Sequence, residues 1–194
     1  MERQRGQIVV ISGPSGSGKT TVCRRLFHAP DMAVSVSATT RPQRPGEQDG
    51  VNYHFVTREA FLAQLARGEF AEHAEYNGHL YGTPREPLEK ALAEGKTVLV
   101  EIDVQGAAQL RQQYPNELYI FLDAPDRAAA AERLERRNTE TPDERQRRIA
   151  VAERERSTAW QKYFDYKVIN DDLDEAVAEI RELILGGNPV GAES

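Results

Sequence analysis

Eight consecutive residues, Gly13, Pro14, Ser15, Gly16, Ser17, Gly18, Lys19 and Thr20, constrain this chain more than any other stretch. They satisfy the spacing G-x-x-x-x-G-K-[ST] of a phosphate-binding loop. The apolar run Ile8–Ile11 precedes them and reads as a buried strand, and Thr21–Phe27 follows without a breaker and continues as a helix. A glycine-rich turn between such a strand and helix points several backbone N–H groups inward. Those groups and the positive end of the helix hold phosphate oxygens. Lys19 is then placed to reach the outer phosphates and the Thr20 hydroxyl to ligate Mg2+ directly, with Thr21 closing the set expected at the nucleotide. The motif specifies a nucleoside triphosphate and says nothing about what receives the phosphate.

A chain of 194 residues suits one catalytic core with small inserted parts. Its net charge of -6 argues against broad nucleic-acid binding, while 25 Lys plus Arg, mostly arginine, leave room for local anion pockets. A GC-rich coding bias would give the same arginine excess. Cys23 is the only cysteine, so an internal disulfide is ruled out and a small core residue is expected. No apolar run is long enough to cross a membrane, and Met1–Gly6 is charged with nothing like a signal peptide after it. The expectations are a cytoplasmic protein with small-molecule partners and neither nucleic acid nor membrane; a homodimer is left open.

Outside the loop, strands and helices alternate. Gln7–Ser12 is the first strand, a helix runs from Lys19 to about His28 and ends before Pro30, and Ala33–Ser37 is a short second strand. Glu86–Glu94 carries Leu88 and Leu92 at helical spacing. Thr97–Asp103 is a strongly apolar strand ending in Glu101 and Asp103, which as strand residues two apart share a face beside the phosphate loop. Acids there order water around Mg2+ or bind the second substrate; an ordinary strand end is the alternative. Gln105–Gln113 is a helix, Leu118–Leu122 the fourth core strand, Tyr166–Ile169 the last, and Leu173–Leu185 an amphipathic terminal helix before a polar tail.

Two stretches leave this alternation. In residues 38–84, Arg41 and Arg44 lie on an irregular Pro- and Gly-broken segment able to curl around an anion. Tyr53–Val56 reads as a strand and Arg58–Arg67 as a short helix. Asn77-Gly78 between Glu69–Tyr76 and His79–Gly82 is a strong hairpin signal, and the hairpin folds Glu72 back toward Tyr81 and Thr83. A carboxylate there accepts two N–H donors side by side, which a guanine edge offers; a solvated hairpin with ordinary polar residues is the alternative. In residues 126–158, arginine-rich and poor in apolar residues, two helices around a Pro-containing break make a flap that could bring arginines over phosphates, or a charged outer helix pair.

These segments together resemble the guanylate kinase family, over about Gly6 to Leu185. The resemblance lies in Ser35-Val36-Ser37-Ala38-Thr39-Thr40-Arg41-Pro42, Arg44-Pro45-Gly46-Glu47, Tyr53-His54-Phe55 and Tyr81-Gly82. It continues in Glu101-Ile102-Asp103-Val104-Gln105-Gly106 and Val168-Ile169-Asn170-Asp171. It implies an α/β P-loop kinase fold: a parallel-sheet core flanked by helices (1–37, 85–125 and 159–194), an inserted GMP-binding domain (38–84) and an inserted helical lid (126–158). It implies ATP as co-substrate with Mg2+, GMP as acceptor, and ADP and GDP as products. By the resemblance, Ser37, Glu72 and Thr83 contact the guanine, and Arg41, Arg44, Tyr53 and Tyr81 hold the GMP phosphate. Glu101 and Asp103 stand at the acceptor nucleotide and the metal-water shell, with Asp103 reaching Mg2+ through water. Arg133, Arg137 and Arg148 serve the transferring phosphate beside Lys19 and Arg41, and Asn170 lies near the adenine. Asn138 stands where the family commonly has glycine, and Arg136 competes with its neighbour Arg137 for the position facing the phosphates. Two rivals are a ribose-phosphate kinase, against which Glu72 and Thr83 argue, and a kinase-like interaction module, against which the intact Gly13–Thr20 argues.

Overall fold

Each residue of Ile8–Ser12 is buried, and the reason is its place at the centre of a sheet covered on both faces. A computed structural model describes residues 5–27, 31–136 and 160–186. In chain order the strands are β1 (Ile8–Ser12), β2 (Met32–Val34), β3 (Ala38–Thr39), β4 (His54–Phe55), β5 (Phe70–Tyr76), β6 (His79–Pro84), β7 (Thr97–Glu101), β8 (Leu118–Asp123) and β9 (Tyr166–Ile169). The helices are α1 (Lys19–Leu26), α2 (Arg58–Ala66), α3 (Arg85–Ala93), α4 (Val104–Gln113), α5 (Arg127–Arg136), α6 (Trp160–Tyr163) and α7 (Leu173–Ile184).

The core sheet is ordered β2-β7-β1-β8-β9, and every pairing is parallel. Alternation divides β1 between the two faces. Ile8 and Val10 pack with Leu88 and Leu92 of α3 and Ala107 and Leu110 of α4. Val9 and Ile11 pack with Val22 and Leu26 of α1 and Val177 and Ile180 of α7. A continuous apolar run is what such a two-sided position requires. Cys23 belongs to the second cluster as a buried free thiol.

The second sheet, β4-β3-β6-β5, is built from the segment between β2 and α3. Asn77 and Gly78 both take positive φ, 55° and 79°, and turn β5 into β6 as the Asn-Gly pair requires. Phe61 of α2 stacks on Phe70 with ring centroids 4.4 Å apart, giving this sheet its own small core with Ala38 and Leu80. Its β5 edge is fixed to the main body by α4. The Gln109 amide accepts from His73 N and donates to His73 O, and Gln113 donates to Ala71 O.

Two strands are shorter than the sequence suggests. The second stops at Val34 rather than Ser37, because Ala38 and Thr39 pair instead with Gly82 and Tyr81 in the second sheet. The strand expected over Thr97–Asp103 ends at Glu101. Asp103 is the N-cap of α4, its carboxylate accepting from Gly106 N at 2.7 Å, so Glu101 and Asp103 do not share a strand face. An exposed helix N–H attracts a short carboxylate more strongly than continuing the ladder would. The first helix ends at Leu26 with Phe27 as its C-cap, short of the expected end near His28; the breaker Pro30, the segment 137–158 of the expected lid, and the tail from 187 lie outside the described residues.

Candidate active site

The turn between β1 and α1 needs glycine for steric reasons. Gly18 has φ +94°, and a Cβ there would meet Asn170 Nδ2 at 2.3 Å; at Gly13 a Cβ would meet the Leu122 carbonyl oxygen at 2.0 Å. The loop is held from beneath. Asn170 is buried and donates from Nδ2 to the Ser17 carbonyl at 2.7 Å. Arg133 donates to the carbonyls of Asn170 at 2.8 Å and Ser17 at 3.5 Å. Both acceptors are neutral, so neither cancels the Arg133 charge. Asn170 and Arg133 therefore brace the loop backbone, and neither is among the residues lining the cavity. Lys19 Nζ donates to the carbonyls of Gly13 at 2.7 Å and Pro14 at 3.1 Å, which keeps the ammonium curled over the loop.

Thr20 and Glu101 meet at the front of α1. The Thr20 hydroxyl donates to Glu101 Oε1 at 2.6 Å, which leaves the hydroxyl's own lone pairs free to accept or to ligate. Asp103, beyond the end of β7, has its carboxyl raised above the ordinary value mainly by burial, opposed by the Gly106 N–H and by Lys19.

A cavity of about 610 Å³ opens in front of the loop and is shared with the second sheet. Gly13, Ser15, Gly16, Gly18, Lys19, Thr20 and Thr21 line one end. Ser37, Arg41, Arg44, Tyr53, Glu72 and Tyr81 line the other. Arg41 donates to both oxygens of Glu47, at 2.8 and 3.1 Å, and lies over the Tyr53 ring at 5.4 Å. Burial alone would lower the Arg41 pKa, but Glu47 and Tyr81 raise it, so the charge is secure. Burial alone would likewise raise Glu47; the Arg41 guanidinium and the Arg44 N–H outweigh it and hold that carboxyl below its ordinary value. Tyr53 and Tyr81 meet edge to face with centroids 5.9 Å apart, and burial keeps the Tyr53 phenol protonated.

Glu72 is 4% exposed and accepts from the Thr83 hydroxyl at 2.6 Å, its partner in the β5–β6 register. Burial pushes its carboxyl up to about 7, Thr83 pulls it down, and the nearby Asp103 pushes it up further. The Gly106 Cα stands so close that a Cβ on it would lie 2.5 Å from Glu72 Oε2. In the sequence Gly106 and Glu47 stand only as motif residues without a role; for Glu47 the position three residues after Arg44 is the available signal. Gly106→Ala gains helix propensity, but its methyl must displace a buried, hydrogen-bonded carboxylate, so the melting temperature should fall by a few degrees while the protein still folds. The displaced carboxylate should raise the KM for the second substrate roughly tenfold, the scale of one charged hydrogen bond. Steady-state kinetics beside a thermal melt checks this. The structure brings together Ser37, Arg41, Arg44, Tyr53, Glu72, Tyr81, Glu101, Asp103 and the loop, with Thr83 behind Glu72. Arg137 and Arg148 lie outside the described residues.

A triphosphate loop at one end of a cavity, facing a pocket with arginines and a buried carboxylate, defines a P-loop kinase whose acceptor is itself a small anionic molecule. The relatives narrow the class. The guanylate kinase family profile matches residues 5–186. The chain is 46% identical over 187 residues to a guanylate kinase of Thermosynechococcus vestitus, covering 96% of this chain and 97% of that one. It is 45% identical over 184 residues to one of Thermus thermophilus, covering 95% and 82%. The crystal structure of guanylate kinase from Anaplasma phagocytophilum superposes with a TM-score of 0.77 at 34% identity, covering 96% of this chain and 88% of that one. The chain belongs to the guanylate kinase family, and its activity is transfer of the terminal phosphoryl group of ATP to GMP, giving ADP and GDP.

Proposed function

We propose that the two ends of this one cavity divide the reaction between them, ATP on Gly13–Thr21 and GMP on the pocket of the second sheet. The observation that carries the reading is that Lys19, Thr20, Arg41, Arg44 and Glu72 line a single continuous space. Segment 38–84 is then the GMP-binding domain, 126–158 the lid, and the remainder the core. Glu72 accepts the N1 and exocyclic amine donors of guanine, with Thr83 and Ser37 completing the base site. Arg41 and Arg44 take the GMP phosphate together with Tyr53 and Tyr81. Glu47 holds the Arg41 guanidinium in place beforehand, so less side-chain freedom is lost on binding. Arg133, with Arg137 and Arg148 from the lid segment, stabilises charge on the transferring group, and Asn170 supports the ATP end.

The donor set fits Mg2+. Among the described residues no cluster of three His, Cys, Asp or Glu is placed to cage a metal. Mg2+ is characteristically held by one or two protein oxygens with phosphates and water. The Thr20 hydroxyl, donating its hydrogen bond to Glu101, would be the direct ligand through its oxygen, and Asp103 would act through water. Bound there, the ion would neutralise charge on the phosphates of ATP. The chain's own residues do the positioning: the loop N–H groups and Lys19 orient the triphosphate while the arginines bring the GMP phosphate in line with it. The second ionisation of a phosphate monoester lies near pH 6, so the nucleophile is already charged near neutrality and needs no strong general base. We place the enzyme in the cytoplasm, with its two nucleotides.

A steady-state assay with ATP against GMP, AMP, UMP and ribose bisphosphate tests the reading. Turnover is expected with GMP, with the others far behind. Equal turnover of AMP and GMP would remove the role given to Glu72, and a preference for ribose bisphosphate would overturn the acceptor altogether.

A further inference from the structure

One contact across the cavity is not accounted for by any of these roles. Ser15, in the phosphate loop, and Tyr76, the last residue of β5, have their hydroxyls 3.1 Å apart. Tyr76 comes from the strand that carries the base-reading carboxylate. Glu72, Ala74 and Tyr76 follow one another at every second position of β5, the spacing that puts them on one strand face, and all three line the cavity. The small side chain of Ala74 leaves the space between them open. Tyr76 therefore reaches the loop at the end of a ruler, about 13 Å from Glu72 at the rise of an extended chain.

The ruler is stiff. Tyr76 pairs with His79 across a two-residue turn. Three residues earlier, the His73 main chain is pinned in both directions by the Gln109 amide of α4. A ligand that fixes Glu72 at one end of this strand also fixes the Tyr76 hydroxyl at the other. Ser15 lies in the loop whose amide groups must take a single conformation to cradle phosphates. We propose that Tyr76 is a positioning residue: through its hydroxyl contact with Ser15 it couples occupancy of the acceptor pocket to the order of the donor's phosphate loop. GMP on the pocket holds β5 still, the Tyr76 hydroxyl then holds Ser15, and ATP meets a loop with less freedom to lose. Coupling of this kind is reciprocal between the two ligands.

The inference rests on the division of the cavity proposed above, and calorimetry separates the two. The probes are GMP and a non-hydrolysable ATP analogue, each titrated into the protein with and without the other at saturation. In the unaltered enzyme GMP should tighten the analogue roughly three- to tenfold, the factor one ordinary hydrogen bond supplies. In Tyr76→Phe, which keeps the ring, the ratio should fall to one while GMP alone binds as before. Ser15→Ala should do the same, and the double variant should lose nothing further. An unchanged ratio in Tyr76→Phe, or no tightening in the unaltered enzyme, overturns the coupling while leaving the acceptor assignment intact. Failure of GMP to bind the unaltered enzyme at all would overturn the assignment itself.

Discussion

Lys19→Ala is expected to cut kcat by roughly 10²–10³-fold or more while the protein stays folded, the scale of removing one preorganised charge from a transition state. In the structure the ammonium is held over the loop by the Gly13 and Pro14 carbonyls, at 2.7 and 3.1 Å. Neither contact lies in the apolar clusters of β1, so the core has little to lose with the side chain. On the proposed reading, what is lost is a charge at the atoms where negative charge moves from the transferring group to the departing ADP. An interaction that strengthens as that charge develops acts on kcat more than on KM. A coupled assay for ADP gives the rate, and circular dichroism with a thermal melt reports the fold. Near-normal turnover in a folded variant would mean that the loop does not hold the reacting triphosphate.

Fold and site were legible to different depths. The core was readable because two-faced burial forces a simple pattern: Ile8–Ser12, Leu118–Asp123 and Thr97–Glu101 are short apolar runs with no rival conformation once the glycine loop is placed. The Asn77-Gly78 turn was readable because few residue pairs accept two successive positive φ angles. The misplaced ends share one cause, a competing partner that is distant in sequence. Ala38 and Thr39 leave the line of β2 for β6, more than forty residues on, and Asp103 leaves the line of β7 to cap α4. Glu72 was legible as a carboxylate on a hairpin. Its environment was not, since Gly106 touches it from a helix thirty-four residues away. The same holds for the Gln109 amide that pins His73 and for the Tyr76–Ser15 contact. Each side chain is ordinary in composition and meaningful only through its neighbour.

Glu72→Gln should raise the KM for GMP roughly 10- to 100-fold and at the same time make the ligand-free protein more stable above neutral pH. The first effect follows from geometry. A carboxylate offers two acceptors to the two donors of guanine, whereas an amide turns one of them into a donor that faces another, at a cost of about 1.5–3 kcal/mol. The second follows from burial, which raises the Glu72 carboxyl from 4.5 to about 7. Between those two values the folded chain binds a proton that the unfolded chain has released, so stability falls as pH rises through the interval. The loss is absent below about 4.5 and complete above about 7. The neutral amide never meets it, and the variant should gain on the order of 2–3 kcal/mol at pH 8 and little at pH 4.5. GMP binding runs the other way. On the proposed reading guanine needs the ionised carboxylate, so the unaltered enzyme should bind GMP about tenfold more tightly at pH 8 than at pH 6. Ionisation of the GMP phosphate, near pH 6, contributes in the same direction. Guanosine, which has no phosphate, isolates the part that belongs to Glu72, and that part should vanish in the variant. Denaturant melts at pH 4.5 and 8, with calorimetric titrations of GMP and guanosine at pH 6 and 8, measure all of it. A variant that binds GMP as well as the unaltered enzyme would show that the guanine is read elsewhere, and one that is less stable at pH 8 would show that burial does not raise the Glu72 carboxyl.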